Sequence, residues 1–260
     1  MDSFGSIAWF YRDLYLEDSP TGHLFTTRLQ RVFELVGEIC EKSVLDVGCG
    51  PCMTSPYFLS HGCNFYGIDL SREMLKVCRD KSGTPVRVNV GVGNMKELPF
   101  PDSSFDIILC LGALEYVDSP DIALREFSRV LRQDGTMILS MQNKSSPYRL
   151  WDIHIYHSNF ANYLRKILKG TFAERPVEKI FSFQEFRQLC ERNFLAVKDV
   201  TYYDFNLWLK PLDQHFPHAE IITATKLETL YRSKFGVLGT GFIVKVEKAT
   251  QCTQNSQYRH

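Results

Sequence analysis

The stretch Val44-Leu45-Asp46-Val47-Gly48-Cys49-Gly50-Pro51 decides the reading of this chain. A β-rich run, Ser43–Val47, ends in a turn where two glycines alternate. Glycine has no Cβ, so the backbone there can bend sharply and come close to a ligand. In an open α/β sheet, ligands bind just beyond the carboxyl ends of the strands, which is where this turn falls. An acid, Asp69, closes the next short strand, 65–68. A carboxylate about 20 residues beyond the glycine turn suits the hydroxyls of a ribose. The dinucleotide fingerprint needs a third glycine, and Met53 stands in its place. Asp46 would also repel a pyrophosphate, so the turn favours a ligand with a positive end.

Working outward, short apolar runs alternate with amphipathic ones. Further strands are expected at 86–92, at 104–111, nearly all apolar and so buried on both faces of a parallel sheet, and at 136–141. Helices are expected over Arg72–Asp80, capped by Ser71, and over 122–131, with Asp134-Gly135 as the stop. After Met141 the rhythm breaks across 143–178, then resumes with the capping box Ser182-x-x-Glu185 and a helix through Arg192. Strands at 196–207 and 240–246, joined by a helix over about 219–232, complete the pattern. Strands alternating with helices imply a parallel sheet with right-handed crossovers. The expected fold is α/β, a Rossmann-like, mostly parallel seven-stranded sheet with helices on both faces. Residues 1–42 form an N-terminal helical lid, 43–248 the sheet domain with 143–178 as an insertion after the fifth strand, and 249–260 a frayed tail.

The chain has 260 residues, is 44% hydrophobic, and balances 30 basic against 30 acidic side chains. Zero net charge argues against a nucleic-acid binder acting through bulk charge. No run approaches the roughly 18 apolar residues of a membrane span, and an acid at Asp2 stands where a secretory signal carries positive charge. A cytoplasmic protein with no membrane partner is expected. Eight cysteines, scattered apart from Cys49 and Cys52, suit reduced thiols better than a disulfide frame. Cys49-Gly50-Pro51-Cys52 matches a thioredoxin-type redox pattern letter for letter, but its glycine already has a role in the ligand turn.

Asp46-x-Gly48-x-Gly50, Asp69, Gly93-Asn94-Met95, the run Leu98 to Asp106 and Leu131-x-x-Asp134-Gly135 occur in order at expected strand ends. In this the chain resembles class I S-adenosylmethionine-dependent methyltransferases, particularly the small-molecule group that includes ubiquinone and menaquinone methyltransferases. The resemblance covers roughly residues 43–141. It implies S-adenosylmethionine as cofactor and S-adenosylhomocysteine as product. It also implies Gly48 and Gly50 under the methionine part, Asp46 close by, and Asp69 on the ribose. Leu70 would lie against the adenine, Asn94 and Met95 in the adenine-recognition place, and the backbone at Cys110 and Leu111 on the cofactor's amino group. Asn94 stands where many members have aspartate, and Glu115-Tyr116 replaces a common His-His.

Other candidates are weaker by chemistry. Tyr11 or Tyr15, in an aromatic run that also serves as a packing face, would close over the sulfonium as a lid. Arg28 would reach the cofactor carboxylate or else lie on a solvated helix face. His154 and His157, in the insertion covering the acceptor, are the candidate catalytic base. They share an H-x-x-H spacing with His215 and His218, but no third ligand accompanies either pair, so no metal is expected. Arg165, Lys166 and Lys169 read as a solvated helix face, and 202–208 as a buried strand or an acceptor wall. The expected function is methyl transfer to a small, partly apolar metabolite. The alternatives are a tRNA- or protein-directed methyltransferase, or a catalytically silent cofactor-binding regulator.

Overall fold

The computed structural model describes residues 12–15, 17–80, 88–152, 179–209 and 215–249. Helix α1 (Pro20–Val36) precedes the sheet, with Ser19 Oγ accepting from the Gly22 N–H as its N-cap. Then follow β1 (Ser43–Val47), α2 (Ser55–Ser60), β2 (Asn64–Asp69), α3 (Arg72–Asp80), β3 (Asn89–Val92) and β4 (Phe105–Leu111). The chain continues through α4 (Pro120–Val130), β5 (Leu131–Gln142), α5 (Pro147–Trp151), α6 (Phe183–Arg192), β6 (Leu195–Tyr203), α7 (Pro217–Leu227) and β7 (Gly241–Lys248).

The seven strands form one sheet in the order β3-β2-β1-β4-β5-β7-β6, parallel except where β7 runs antiparallel between β5 and β6. The central strands bury both faces, and their side chains divide with period two. Leu45, Val47, Ile108, Cys110, Met137, Leu139, Phe242 and Val244 pack with Phe127 of α4 and Phe186 of α6. Val44, Ile107, Leu109, Ile138 and Ile243 pack with Val32 and Leu35 of α1 and Phe58 of α2. Helices therefore cover both faces, as a continuous apolar strand requires. The strand order reverses between β1 and β4, and a cleft opens at such a switch point beyond the carboxyl ends.

β1 and α3 occupy the expected residues, and Met74 N–H donates to the capping Ser71 Oγ at 3.3 Å. Elsewhere tertiary packing moves the boundaries. The fifth strand starts at Leu131 rather than residue 136, because Phe105 pairs Leu131 before the register shifts to Ile107 opposite Thr136. Asp134-Gly135 therefore lies inside that irregularity rather than after a helix. A Cβ at Gly135 would meet Leu131 Cδ1 at 2.7 Å. β6 ends at Tyr203 rather than 207, since Asp204 turns left-handed (φ 58°) and its carbonyl accepts from Thr240 N–H. α7 begins at Pro217 and passes into a 3-10 turn at Glu228–Leu230. The short α2 was not expected, having too few residues to show a period. The cysteines are not all thiols, for Cys52 and Cys78 form a disulfide with Cα atoms 5.4 Å apart. The fold lays the buried face of α3 against the turn after β1, a proximity invisible at a sequence separation of 26.

Candidate active site

The bend after β1 is pinned to β2 by two backbone bonds, from Gly48 N–H and Cys49 N–H to the Ile68 carbonyl at 2.8 and 3.0 Å. Both glycines are left-handed, with φ 71° at Gly48 and 50° at Gly50. Their surroundings differ. A Cβ on Gly48 would stand 2.4 Å from Ala113 Cβ, so β1 and β4 approach there too closely for a side chain. A Cβ on Gly50 would meet nothing within 4 Å. That open space belongs to a cavity of about 330 Å³ at the switch point, lined by Gly48, Gly50, Asp46, Asp69, Arg28 and Leu111 among others.

Asp69, at the tip of β2, is aimed by its own loop: Oδ2 accepts from Gly50 N–H at 2.9 Å and Oδ1 from Ser71 N–H at 2.8 Å. Asp46 lies deeper, only 3% exposed, and accepts from Thr54 Oγ1 at 2.5 Å. Burial pushes its carboxyl up to about 7. The Thr54 hydrogen bond opposes the rise, the nearby Asp69 adds to it, and Arg28 opposes it. The floor thus carries two acids, and the wall carries a base. Arg28 is buried rather than on a solvated face. Its Nη2 donates to Tyr15 Oη at 2.9 Å, and its guanidinium lies 4.9 Å from the Phe25 ring centroid. Gly112, left-handed at φ 69°, makes room for it, since a Cβ there would fall 2.7 Å from Arg28 Nη1.

Leu70, 66% exposed, stands at the lip, and Asn94 and Met95 line the wall beyond β3. The Asn94 Oδ1 already accepts from Lys96 N–H at 3.0 Å, so one of its two lone pairs is committed locally. Lys96 in turn pairs with Asp118 at 3.1 Å, joining the loops after β3 and β4. The Cys110 side chain is not in the wall. It is buried in the core, where alternation along β4 turns it, while Leu111 and Gly112 line the cavity. Glu115 is also turned inward, accepting from the Gln142 backbone N–H and, at 3.2 Å, from its side-chain amide, while Tyr116 lines the cavity. Tyr11, His154 and His157 lie outside the described residues, as do Arg165, Lys166 and Lys169. His215 and His218 are exposed around the start of α7.

Sequence reasoning missed Thr54 and Gly112. A glycine directly after a buried strand was the available signal for Gly112. Thr54 offered none, because its contact with Asp46 depends on how the bend folds back.

Residues 45–139 match the methyltransferase domain family. Together with the relatives that follow, this identifies the stretch as a methyltransferase domain and makes the chain similar to S-adenosylmethionine-dependent methyltransferases. It is 28% identical over 217 residues to an uncharacterized methyltransferase, YcgJ, of Bacillus subtilis, covering 80% of this chain and 77% of that one. It is 26% identical over 214 residues to a ubiquinone biosynthesis O-methyltransferase of Histophilus somni, covering 80% and 87%. Among solved structures it resembles a chain of the complex between the Haloferax volcanii Trm112 methyltransferase activator and a methyltransferase. The TM-score is 0.67 at 21% identity, covering 96% of this chain and 99% of that one. At that identity the likeness concerns the fold. No helix among the described residues is long and apolar enough to cross a membrane.

Proposed function

We propose that the switch-point cavity holds S-adenosylmethionine and that the chain transfers its methyl group to a small, partly apolar metabolite. The observation that carries this reading is the charge arrangement. Two carboxylates, Asp46 and Asp69, flank an open glycine bend, and one buried guanidinium, Arg28, stands in the same wall. A ligand with a cationic sulfur and amino group, a ribose and a carboxylate complements each of these in turn. The space a Gly50 Cβ would occupy is open, which lets such a ligand lie against the backbone.

In this reading Asp69, held by Gly50 and Ser71 N–H groups, accepts from the ribose hydroxyls. Arg28, fixed by Tyr15, binds the carboxylate. Asp46 faces the cationic end, and Leu70, Asn94 and Met95 flank the adenine. When bound, the cofactor supplies a methyl group on a sulfonium, open to in-line displacement. The chain's contribution is to hold and align. Fixing nucleophile and methyl carbon about 3–3.5 Å apart in a dry site supplies much of the rate enhancement. Leu29, Met53, Leu111 and Val117 add apolar surface to the wall, which supports a partly apolar acceptor. The similarity to a ubiquinone biosynthesis O-methyltransferase supports a small-molecule acceptor as well.

The test is incubation with methyl-labelled cofactor and a fractionated metabolite extract. Label in a small apolar product supports the reading. Label in RNA or protein with a steep salt dependence would replace it by a macromolecular one, and binding without transfer by a silent regulator.

A further inference from the structure

The turn that carries Gly48 and Gly50 is covalently tied to the helix that follows Asp69. Cys52, two residues past Gly50, is bonded to Cys78 near the end of α3, and both are buried. The other described cysteines (Cys40, Cys49, Cys63, Cys110 and Cys190) are free thiols, so the bond is not part of a disulfide framework. One disulfide beside several free thiols differs from the dense frameworks that staple small secreted domains. Cys52 also holds a left-handed backbone, φ 54°, which a residue with a Cβ adopts only when its surroundings impose it. The disulfide ties the bend to α3, and the hydrogen bond from Gly50 N–H to Asp69 Oδ2 at 2.9 Å ties it to the strand tip that leads into that helix.

We propose that the Cys52–Cys78 disulfide is a redox latch on the cofactor site: oxidised, it holds the glycine bend against α3, the helix that follows Asp69; reduced, it releases the bend and weakens S-adenosylmethionine binding. This rests on the assignment of the cavity as the cofactor site. Release consumes one dithiol reductant. A thiolate of the reductant attacks one cysteine sulfur and expels the other cysteine as a thiolate; the reductant's second thiol then attacks the reductant sulfur of the mixed disulfide and expels the remaining cysteine. The Cys52–Cys78 bond breaks, two cysteine thiols form, and the reductant leaves as a disulfide, having given up two electrons and two protons. A low-molecular-weight disulfide such as oxidised glutathione, itself reduced to two thiols, closes the latch again. Cys49, although packed beside both sulfurs, is not the exchange partner. Burial, with Asp46 and Asp69 adding to it, raises its thiol well above the ordinary range and keeps it protonated. With the sulfurs buried, exchange waits on local opening of the bend, which a ligand in the cavity opposes.

The experiment is calorimetric titration of the whole chain with S-adenosylhomocysteine after oxidation by oxidised glutathione and after reduction by dithiothreitol, with the thiol count fixed by mass spectrometry. The expected result is about tenfold weaker binding when reduced, restored on re-oxidation. By linkage, saturating ligand then lowers the midpoint potential of the pair by about 30 mV. Cys78→Ser should bind like the reduced chain under both conditions, and Cys40→Ser should keep the full response. Equal affinity in two samples shown to differ by this bond would overturn the latch, as would a thiol count showing that the bond never forms. Absence of binding in both states would instead overturn the cofactor-site assignment, and the latch with it.

Discussion

The backbone N–H of Gly50 donates to Asp69 Oδ2 at 2.9 Å, so the bend after β1 and the tip of β2 are one hydrogen-bonded unit. The carboxylate is not a free arm searching for a ligand. Its second oxygen is fixed by Ser71 N–H at 2.8 Å, and its remaining lone pairs are thereby aimed. Preorganisation of this kind lowers the ordering cost of binding.

Replacing that carboxylate should therefore cost the ligand directly. Hydrogen bonds to charged groups contribute about 1.5–3 kcal/mol each, and two ribose hydroxyls are involved. Asp69→Ala is expected to weaken S-adenosylhomocysteine binding by roughly 100-fold or more, as read by calorimetry, and Asp69→Asn by less. Unchanged affinity would remove Asp69 from the site.

The two glycines should fail in different ways. Gly48→Ala places a Cβ 2.4 Å from Ala113 Cβ at φ 71°, so it should lose stability, by about 2–4 kcal/mol when left-handed cost and overpacking are combined. Gly50→Ala meets no protein atom within 4 Å, so only the backbone cost of about 1–2 kcal/mol applies to folding. Its methyl group enters the cavity, and ligand affinity should fall well beyond that. Denaturant titration and calorimetry on the two variants separate the effects.

Asp46 makes binding depend on pH. Its carboxyl stands at about 7 in the folded chain against an ordinary 3.8, so the ligand-free protein holds a proton there that the unfolded chain has lost. Between about pH 4 and 7 the folded state binds more protons, and this group's contribution to stability falls as pH rises through that window. A cationic ligand needs the ionised form. Below about pH 7 each unit of acid should weaken affinity by up to tenfold, with a plateau above. Titration at several pH values in buffers of differing ionisation heat would show the released proton, and Asp46→Asn should flatten the profile.

Arg28 should prove a binding residue rather than part of a helix surface. Arg28→Ala is expected to weaken binding of S-adenosylhomocysteine by roughly 10- to 100-fold. It should have little effect on a nucleoside lacking the carboxylate, such as methylthioadenosine. Equal losses for both ligands would mean that Arg28 only supports the wall.

The sheet was legible because its central strands are near-continuous apolar runs, and β1 and α3 fall on the residues their patterns mark. The start of β5 was not, because a register shift opposite Phe105 extends the strand back to Leu131 through residues that read as a turn. In the site, Gly48, Gly50 and Asp69 could be read because strand–turn–acid is a local pattern. Thr54 and Gly112 act only through contacts with Asp46 and Arg28 that folding creates. The Cys52–Cys78 bond escaped for the same reason.

In the proposed reading the glycine bend and the Asp69 tip together hold S-adenosylmethionine. A crystal structure of the chain soaked with S-adenosylhomocysteine tests it most directly. Ribose hydroxyls are expected within hydrogen-bonding distance of the Asp69 carboxylate, with the amino-acid end between Asp46 and Arg28. Density for the ligand in another cleft, with the bend empty, would contradict it.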